Sequence, residues 1–424
     1  MITFAFIATV LNYLDRLAFT YLTASGPLRD MIPDDAFGYI ATAFFVAYML
    51  SNAVSGFVID KVGTRVGYSL SMTFWTTAGL LHAFAIAPIQ FGILRFLLGV
   101  GEAGNWPAAI KLTREWFPPH QRSIATGIFN SGGAVGAIVA PPLIAWLGTS
   151  YGWKATFIII GALGYIWLLF FWFSYHTPEE SKLVSKPRTI PVMKLLGTRF
   201  VICLFLSKIF IDPVWYFITF WIGRYLADVY KMSLAWIGSF AMIPFIVADV
   251  GNIVGGLFTA YIIKRGMPIP KARKTAAALF GGIMICSLLI GPLVINSAAT
   301  ALVILAGAGF GYAAYTANSM VFPSDVVPPQ ATASVWGIAS VGAGLGGAMF
   351  QSLSGVTVKS IAASGNYLLA YDTVFIGYGI VAAIGLSIVL FIMGPIDKDL
   401  KLEKLNMELN PERLPTVETG STVD

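Results

Sequence analysis

Four charged side chains lie inside apolar segments near the start of the chain. Asp15 and Arg16 stand in NYLDR, between MITFAFIATVL and LAFTYLTASG. Arg95 and Glu102 stand in RFLLGVGEAGNWP. Because an ionisable group at membrane depth costs at least about 2.5–3.5 kcal/mol on insertion scales, such groups are functional candidates by default.

The spacing of these four residues predicts how they pair. Arg95 and Glu102 are close to two helical turns apart, so both project from one helix face. Asp15 and Arg16 point about 100° apart and are poor partners for each other. We therefore expect the crosswise pairs Asp15–Arg95 and Arg16–Glu102. A network that only fixes helix packing is the alternative, but buried pairs are weak devices for stability.

A second charged group lies in KIFIDPVWYF, where Lys208 and Asp212 are spaced i, i+4 and can pair along one helix face. Pro213 predicts a break in that helix, as in discontinuous transporter helices. A local salt bridge without ligand contact is an equal alternative. Arg224 lies near the outer end of the segment and is expected to snorkel. For Asp249, a structural and a functional role both stay open.

Aromatic and neutral polar residues accompany the charges. Tyr13 stands beside Asp15 and Arg16, and Tyr48 lies in the middle of its own apolar segment, although most buried aromatic residues only pack. Cations at membrane depth suit an anionic ligand, carboxylates suit a proton, and hydroxyl and amide groups suit a polyol. Together they point to a proton-coupled carrier of a small hydroxylated anion. Further neutral candidates are Asn130, Ser131, Asn318 and Ser319.

Composition identifies the class of protein. The 424 residues are 57% hydrophobic and 11% charged, whereas a soluble domain carries roughly a quarter charged residues. Hydropathy gives about twelve segments near the ~20 residues that cross a bilayer, and none alternates like a barrel strand. The first segment lacks the basic region and cleavage site of a removable signal peptide.

The distribution of basic residues predicts the orientation. With both termini inside, most of the 27 Lys and Arg residues fall in cytoplasmic connections and the tail. Their scatter over loops argues against nucleic-acid binding. Cys203 and Cys286 lie in apolar segments, and the three histidines are far apart, so neither a disulfide framework nor a metal site is expected. The opposite side holds only Arg29, Lys154, Lys231 and Lys359.

Two halves of the chain resemble each other. WFPPHQRSIATG at 116–127 matches VVPPQATASVWG at 326–337 in its Pro pair and closing Gly. The following glycines match as well, Gly132 with Gly342 and Gly136 with Gly346. Parallel six-helix halves with a site between them are a standard transporter plan. We predict an all-α membrane protein of twelve helices with a first bundle at 1–178, a central cytoplasmic loop at 179–198, a second bundle at 199–395 and a cytoplasmic tail at 396–424.

The segment GFVIDKVGTR fits the pattern G-x-x-x-D-K-x-G-x-R at the cytoplasmic end of the second span. An ordinary basic turn is the alternative. The pattern resembles the loop signature of the major facilitator superfamily. That resemblance implies a latch on the cytoplasmic side, formed by Gly56, Asp60, Gly63 and Arg65. The second-half copy has Ala260 and Tyr261 where the acid would fall, so the latch is expected to be asymmetric.

Within the superfamily, the chain resembles the anion:cation symporters over essentially its whole length. The shared motifs are NYLDR, RFLLGVGEAG followed by WPA, KIFIDPVWYF, IPF-x-x-AD-x-GN-x-x-GG and AN ahead of SDVVP. The resemblance implies that Asp15 and Glu102 are the proton-coupling residues and that Arg95 tunes Asp15. The predicted substrate-binding residues are Tyr13, Arg16, Tyr48, Arg95, Lys208, Trp215 and Asn318.

Among these symporters the chain looks most like bacterial hexuronate transporters. Relatives for aldonates and aldarates carry a Gln where Gly132 and Gly133 stand, whereas the hexuronate pattern has His-Gln-Ala-Trp where this chain has Tyr312 to Tyr315. Another organic anion, such as an aldonate, an aldarate or an aromatic or dicarboxylic acid, is therefore the alternative substrate. A non-transporting membrane sensor is the alternative from another class, and an enzyme is not expected. We expect a monomer in the bacterial inner membrane, with both termini cytoplasmic, no cofactor, and the proton as coupling ion.

Overall fold

The computed structural model describes residues 1–118, 121–176, 190–396 and 399–409. These residues form helices and connections, with no strand among them. Helices of the first half are α1 Ile2–Leu22, α2 Pro27–Met31, α3 Asp34–Val62, α4 Thr64–Leu81, α5 Pro88–Glu102, α6 Asn105–Trp116 and α7 Arg122–Ser174. Those that follow are α8 Val192–Leu196, α9 Arg199–Tyr230, α10 Leu234–Phe240, α11 Ile243–Lys264, α12 Ile269–Val294, α13 Ala298–Ser319, α14 Phe322–Val326, α15 Pro329–Ala362, α16 Tyr367–Ser387 and α17 Leu400–Leu409.

Length and hydropathy identify seven helices of the described chain as candidate membrane spans, or eight if the bent pair within α3 is counted as one. One of the seven, α7, provides two crossings, because Gly152 breaks it with φ 82° and ψ 165°, a conformation that residues with a Cβ avoid. The remaining crossings are α4, the interrupted pair α5 and α6, and the Gly- and Ser-rich α15. Twelve crossings result. The domain boundaries stay a prediction, since 177–189 and 410–424 lie outside the described residues.

Close helix contacts in the first half depend on two of the repeated glycines. A Cβ on Gly132 would lie 2.6 Å from the carbonyl oxygen of Phe6. A Cβ on Gly136 would lie 3.1 Å from the carbonyl oxygen of Val10, one helical turn further along α1. The glycines therefore let the backbones of α1 and α7 approach each other, as small residues do where membrane helices pack closely.

The second half repeats this contact with α9 and α15. Gly342 and Gly346 lie so close to the carbonyl oxygens of Phe205 and Ile209, respectively, that a Cβ on either glycine would overlap the oxygen. The carbonyl of Ile209 in α9 thus corresponds to that of Val10 in α1. Trp215 and Arg16 each lie six residues further along, so Trp215 has the position in α9 that Arg16 has in α1. The internal repeat predicted from the glycine spacing is thus present as a repeated packing contact.

The predicted break at Pro213 is wrong, since α9 runs without interruption from Arg199 to Tyr230. A proline removes the hydrogen bond to the carbonyl four residues earlier, which here is that of Ile209. This carbonyl is the one that faces Gly346. The close backbone of α15 covers the freed oxygen, and a Cα–H···O contact of this kind is weakly favourable.

The two ends of the bundle differ in how the halves meet. At one end, a Cβ on Gly38 of α3 would lie 2.7 Å from the carbonyl oxygen of Gln351 and 3.1 Å from the Cα atom of Gly355, both in α15. We call this the closed end. Towards the other end, a Cβ on any of four glycines of α3, α7, α11 and α15 would meet no atom of the described residues within 4 Å. This open end is defined by Gly56, Gly127, Gly256 and Gly337.

Substitution of Gly346 tests the repeated packing contact. In Gly346→Ala the new methyl group overlaps the carbonyl of Ile209, so α15 must move away from α9. We expect a loss of about 1–3 kcal/mol in stability, measured as a lower apparent melting temperature of the purified protein. Gly337→Ala on the same helix is the matched control, because its methyl group meets no atom within 4 Å. Equal melting temperatures for the two variants would contradict the contact.

Candidate functional site

A buried ion pair joins α1 to α5 in the first half. The Nε and Nη2 atoms of Arg16 donate to one oxygen of Glu102, Oε2, at 2.9 Å and 2.7 Å. The side chain of Glu102 is fully buried, whereas that of Arg16 is 13% exposed. Nη2 also donates to Asn12 at 3.3 Å. The predicted pair Arg16–Glu102 is confirmed, and the Arg16 side chain remains partly accessible.

Glycines of α5 bring Glu102 to this position. A Cβ on Gly99 would lie 2.6 Å from the carbonyl oxygen of Phe44 in α3. One on Gly101 would lie 2.6 Å from the backbone nitrogen of Trp75 in α4. Helix α5 ends at Glu102 itself, and α6 begins at Asn105. The carboxylate is therefore held deep between α3, α4 and α5.

Aromatic rings surround the guanidinium of Arg16. Its Cζ atom lies 5.3 Å from the ring centre of Tyr13, 5.1 Å from that of Phe44 and 5.1 Å from that of Tyr48. Contacts at this distance stabilise a cation through the ring quadrupole, by about 0.5–2 kcal/mol each depending on desolvation. The rings of Phe44 and Tyr48 stack at 5.7 Å. The structure thus places Tyr13 and Tyr48 beside Arg16, and their role in substrate binding stays a prediction.

The predicted pair Asp15–Arg95 is wrong. Arg95 is buried and donates from Nη2 to the main-chain carbonyl of Arg16 at 2.9 Å, with its Cζ atom 4.7 Å from the ring centre of Phe19. Asp15 points instead to α4, where its Oδ1 atom lies 2.6 Å from the position of a Cβ on Gly79. Asp15 and Arg95 form no ion pair among the described residues, although the two side chains remain within electrostatic reach of each other. Arg95 therefore fixes the backbone of Arg16 rather than the carboxylate of Asp15.

In the second half, the predicted pair of Lys208 and Asp212 is confirmed, with Nζ and Oδ1 3.2 Å apart and both side chains nearly buried. The ammonium of Lys208 lies 5.4 Å from the ring centre of Trp336. Trp215 stacks on Tyr312 with ring centres 5.5 Å apart and an interplanar angle of 7°. Lys208 and Trp215 therefore belong to a second cluster, across the interface from Arg16.

Tyr216 connects the two clusters and was not among the predicted site residues. Its ring centre lies 4.4 Å from that of Phe45 in the first half. Its hydroxyl is within electrostatic reach of both Asp212 and Arg16. The spacing i, i+4 from Asp212 to Tyr216 puts both on one face of α9, and this signal was available in the sequence.

Asn318 lies apart from both clusters. Its Nδ2 atom donates to the carbonyl of Arg273 at 2.8 Å, and Arg273 in turn donates from Nε to Asp325 at 2.8 Å. Within the described residues, no hydrogen bond links Asn318 to Arg16 or Lys208. Asn318 is the penultimate residue of α13, so it ties α13 to the beginning of α12. A role in substrate binding stays a prediction without a contact to support it.

The signature segment makes contacts within the first half. Asp60 pairs with Lys111 of α6, whose Nζ lies 3.5 Å from Oδ1 and also donates to the carbonyl of Ile59 at 2.8 Å. Arg65 donates to the carbonyl of Trp172 in α7 at 2.6 Å. Between them, Gly63 turns the chain from α3 to α4 with φ 86°. Gly56, one turn before Asp60, borders the open end. The latch role of this segment stays a prediction.

Arg224 lies in a buried network at the closed end, so the prediction that it snorkels is wrong. It is fully buried and donates from Nη1 to Asp34 at 2.8 Å and from Nη2 to the carbonyl of Ile32 at 2.8 Å. Its Cζ atom lies 4.1 Å from the ring centre of Phe37. All these partners belong to the first half, 190 residues away in the case of Asp34. Local hydropathy carries no information about a partner so far away in the sequence.

A second arginine extends this network across the interface. Arg29 donates from Nη2 to Asp34 at 2.9 Å and to Asp228 of α9 at 3.1 Å. Tyr371 of α16 donates to the other oxygen of Asp228 at 2.9 Å. At the rim, Lys359 of α15 pairs with Asp35 at 2.6 Å. The halves are thus joined at the closed end by charged side chains.

Comparison with known proteins agrees with the fold. The model of the Major Facilitator Superfamily matches residues 5–351. A hexuronate transporter of Escherichia coli (strain K12) is 30% identical over 385 residues, 85% of this chain and 88% of that protein. A probable galactarate/D-glucarate transporter from the same strain is 28% identical over 94% of this chain and 95% of its own length. A bacterial homolog of the human lysosomal transporter Spinster, in an inward-facing and occupied conformation, has a TM-score of 0.77 at 18% identity, covering 92% and 96% of the two chains.

Fold and site define a multi-pass membrane transporter built from two six-helix bundles. The chain belongs to the Major Facilitator Superfamily. The predicted twelve-helix fold is thereby confirmed, as is the prediction of a transporter rather than an enzyme.

Neutralisation of Asp34 tests the closed end. Asp34→Asn leaves the guanidinium of Arg224 buried without its carboxylate, and breaking a buried pair from one side is costly. We expect the closed end to separate in part of the population. Spin labels on Tyr39→Cys and Ser360→Cys should then show an added longer distance in pulsed electron paramagnetic resonance.

Asp35→Asn is the matched control for this experiment. It removes the neighbouring carboxylate, but the partner ammonium of Lys359 is 58% exposed, and exposed pairs contribute little. Its distance distribution should match that of the parent protein. A single short distance in Asp34→Asn would show that the buried network does not hold the halves together.

Proposed function

We propose that this protein imports a small organic anion, a sugar acid such as a hexuronate, together with protons across the bacterial inner membrane, with both termini cytoplasmic. One observation carries the proposal above all others. A partly accessible guanidinium, Arg16, is bound to a buried carboxylate, Glu102, between the halves of a transporter. The printed names of the relatives, which include hexuronate and galactarate/D-glucarate transporters, support the substrate class.

The geometry of the pair suggests how proton and ligand are coupled. A ligand carboxylate that reaches Arg16 competes with Glu102 for the same Nε and Nη2 donors. Protonation of Glu102 weakens this competitor, because a carboxylic acid is a poorer acceptor for a guanidinium than a carboxylate. Ligand and proton then enter the site together, and the charge around Arg16 stays balanced. Bidentate binding to the guanidinium gives the ligand a fixed orientation.

Residues around Arg16 favour a ligand with hydroxyl groups. Tyr13 and Tyr48 flank the guanidinium, and Tyr216 approaches from the other half. Tyrosines offer both a hydroxyl partner and a ring face. The ring of Tyr13 lies against Gly133, where a Cβ would come within 3.1 Å. A larger residue there, such as the Gln predicted for aldonate and aldarate carriers, would displace Tyr13.

The two ends of the bundle support alternating access. Around the closed end, Arg29, Asp34, Arg224 and Asp228 join the halves, whereas glycines at the open end face empty space. On the proposed orientation the open end faces the cytoplasm, so the conformation corresponds to release of an imported ligand. To admit ligand from outside, the ion pairs of the closed end must separate and the open end must close.

Uptake into proteoliposomes tests the proposed function. We expect galacturonate or glucuronate to accumulate when the pH outside is lower than inside, without sodium, because the site offers carboxylates for a proton. Aldonates, aldarates and aromatic acids in competition would rank the alternative substrates. Sodium-dependent uptake that a protonophore leaves unchanged would refute proton coupling, and failure of every organic anion would favour the non-transporting sensor.

Replacement of Glu102 by Gln separates exchange from coupling. Gln keeps the shape of the protonated acid, so the variant should still bind ligand and exchange it across the membrane in counterflow. Accumulation driven by a pH gradient should fall to background, because no proton is released. Both assays use the same vesicles, and Asp372→Asn, a carboxylate of α16 outside the two clusters, is the control. Normal accumulation by Glu102→Gln would exclude Glu102 as the coupling residue.

A further inference from the structure

A groove of about 650 Å³ lies on the outer surface of the second half, where α12 begins and the π-helical turn that follows α16 ends. Apolar side chains form most of its wall, and that of Phe391 is 78% exposed. Neither ion-pair cluster of the functional site touches it. Its apolar lining residues are Pro270, Ala278, Leu390, Phe391 and Pro395.

Two cations line this groove, and a third lies near one of them. Lys271 and Lys274 line it, and Arg199, the first residue of α9, is within electrostatic reach of Lys274. The Nζ atom of Lys274 donates to the carbonyl of Leu390 at 2.7 Å, which leaves two of its three protons for another acceptor. Among the described residues, no carboxylate forms an ion pair with any of the three. Their charges converge without a counter-ion from the described protein.

The short helix α8, which ends three residues before Arg199, has the character of a membrane-interface segment. In the short helix α8, Val192 and Met193 are 50% and 77% exposed, next to the exposed Lys194. Leu195 is fully buried and anchors α8 to the bundle. Apolar side chains beside basic ones are typical of helices that lie at the headgroup level. Because α8 leads directly into α9 and Arg199, we infer that the groove lies at the level where lipid headgroups and upper acyl chains meet the protein.

We propose that this groove binds an anionic phospholipid, with its phosphate at Lys271 and Lys274 and an acyl chain along Leu390 and Phe391. Charge complementarity selects this occupant, because unpaired basic residues beside an apolar wall at the cytoplasmic side attract anionic headgroups. A zwitterionic lipid would fill the apolar wall but leave the two lysines without a net counter-charge. The site does not depend on the transported ligand.

Native mass spectrometry of the full chain with added lipid tests this site. We expect dioleoyl phosphatidylglycerol to be retained in preference to dioleoyl phosphatidylcholine, which has the same acyl chains. Lys271→Gln/Lys274→Gln should weaken binding of phosphatidylglycerol by roughly thirtyfold, and Lys271→Gln alone by about fivefold. The single variant covers the case in which loss of the Lys274–Leu390 hydrogen bond impairs folding, because the side chain of Lys271 is exposed.

Two control variants separate this site from general charge effects. Lys264→Gln/Arg265→Gln removes two charges from the same side of the protein outside the groove and should bind phosphatidylglycerol as the parent does. Lys271→Arg/Lys274→Arg keeps both charges and should also bind it. Equal retention of the two lipids, or equal loss in both Gln double variants, would overturn the proposal. Displacement of the lipid by glycerol 3-phosphate at equal concentration would assign the cations to a soluble phosphate and overturn it too.

Discussion

A guanidinium buried in an apolar helix bundle must find its partners inside the protein, and this requirement of Arg16 determines the structure around it. Glu102 supplies the counter-charge, and three aromatic rings supply the remaining surroundings. Arg95 holds the backbone carbonyl of Arg16 itself. The glycines of α5 follow from the same need, because only close helices bring Glu102 within reach. The contacts around Arg16 must therefore rearrange if a ligand displaces Glu102 or a proton neutralises it.

Each half is held together by the same kind of helix contact. Glycines of α7 and α15 face carbonyls of α1 and α9, so each half has a tight, rigid core. Between the halves, the closed end adds ion pairs and hydrogen bonds, such as Arg224–Asp34 and Arg29–Asp228, to a close contact of Gly38 with Gln351 and Gly355. Polar groups can bind water instead when these contacts separate.

Basic residues serve different purposes at different depths. Arg16 and Lys208 lie between the halves, each beside one carboxylate. Arg224 is buried at the closed end among partners from the other half. At the perimeter, Lys271 and Lys274 face an apolar groove without a carboxylate among the described residues. What surrounds each charge therefore distinguishes the proposed ligand site, the closed interface and the proposed lipid site.

The sequence by itself determined the helical class, the number of crossings, the repeat, and the pair Lys208–Asp212, because hydropathy and the i, i+4 spacing act within one helix. It also indicated Arg16–Glu102, since few buried groups were available as partners. Only the tertiary structure decided that Asp15 faces α4, that Asn318 binds Arg273, and that Arg224 is buried against the other half. The rotation of each helix, and the neighbour it meets, depend on the packing of many side chains at once, which no local pattern encodes.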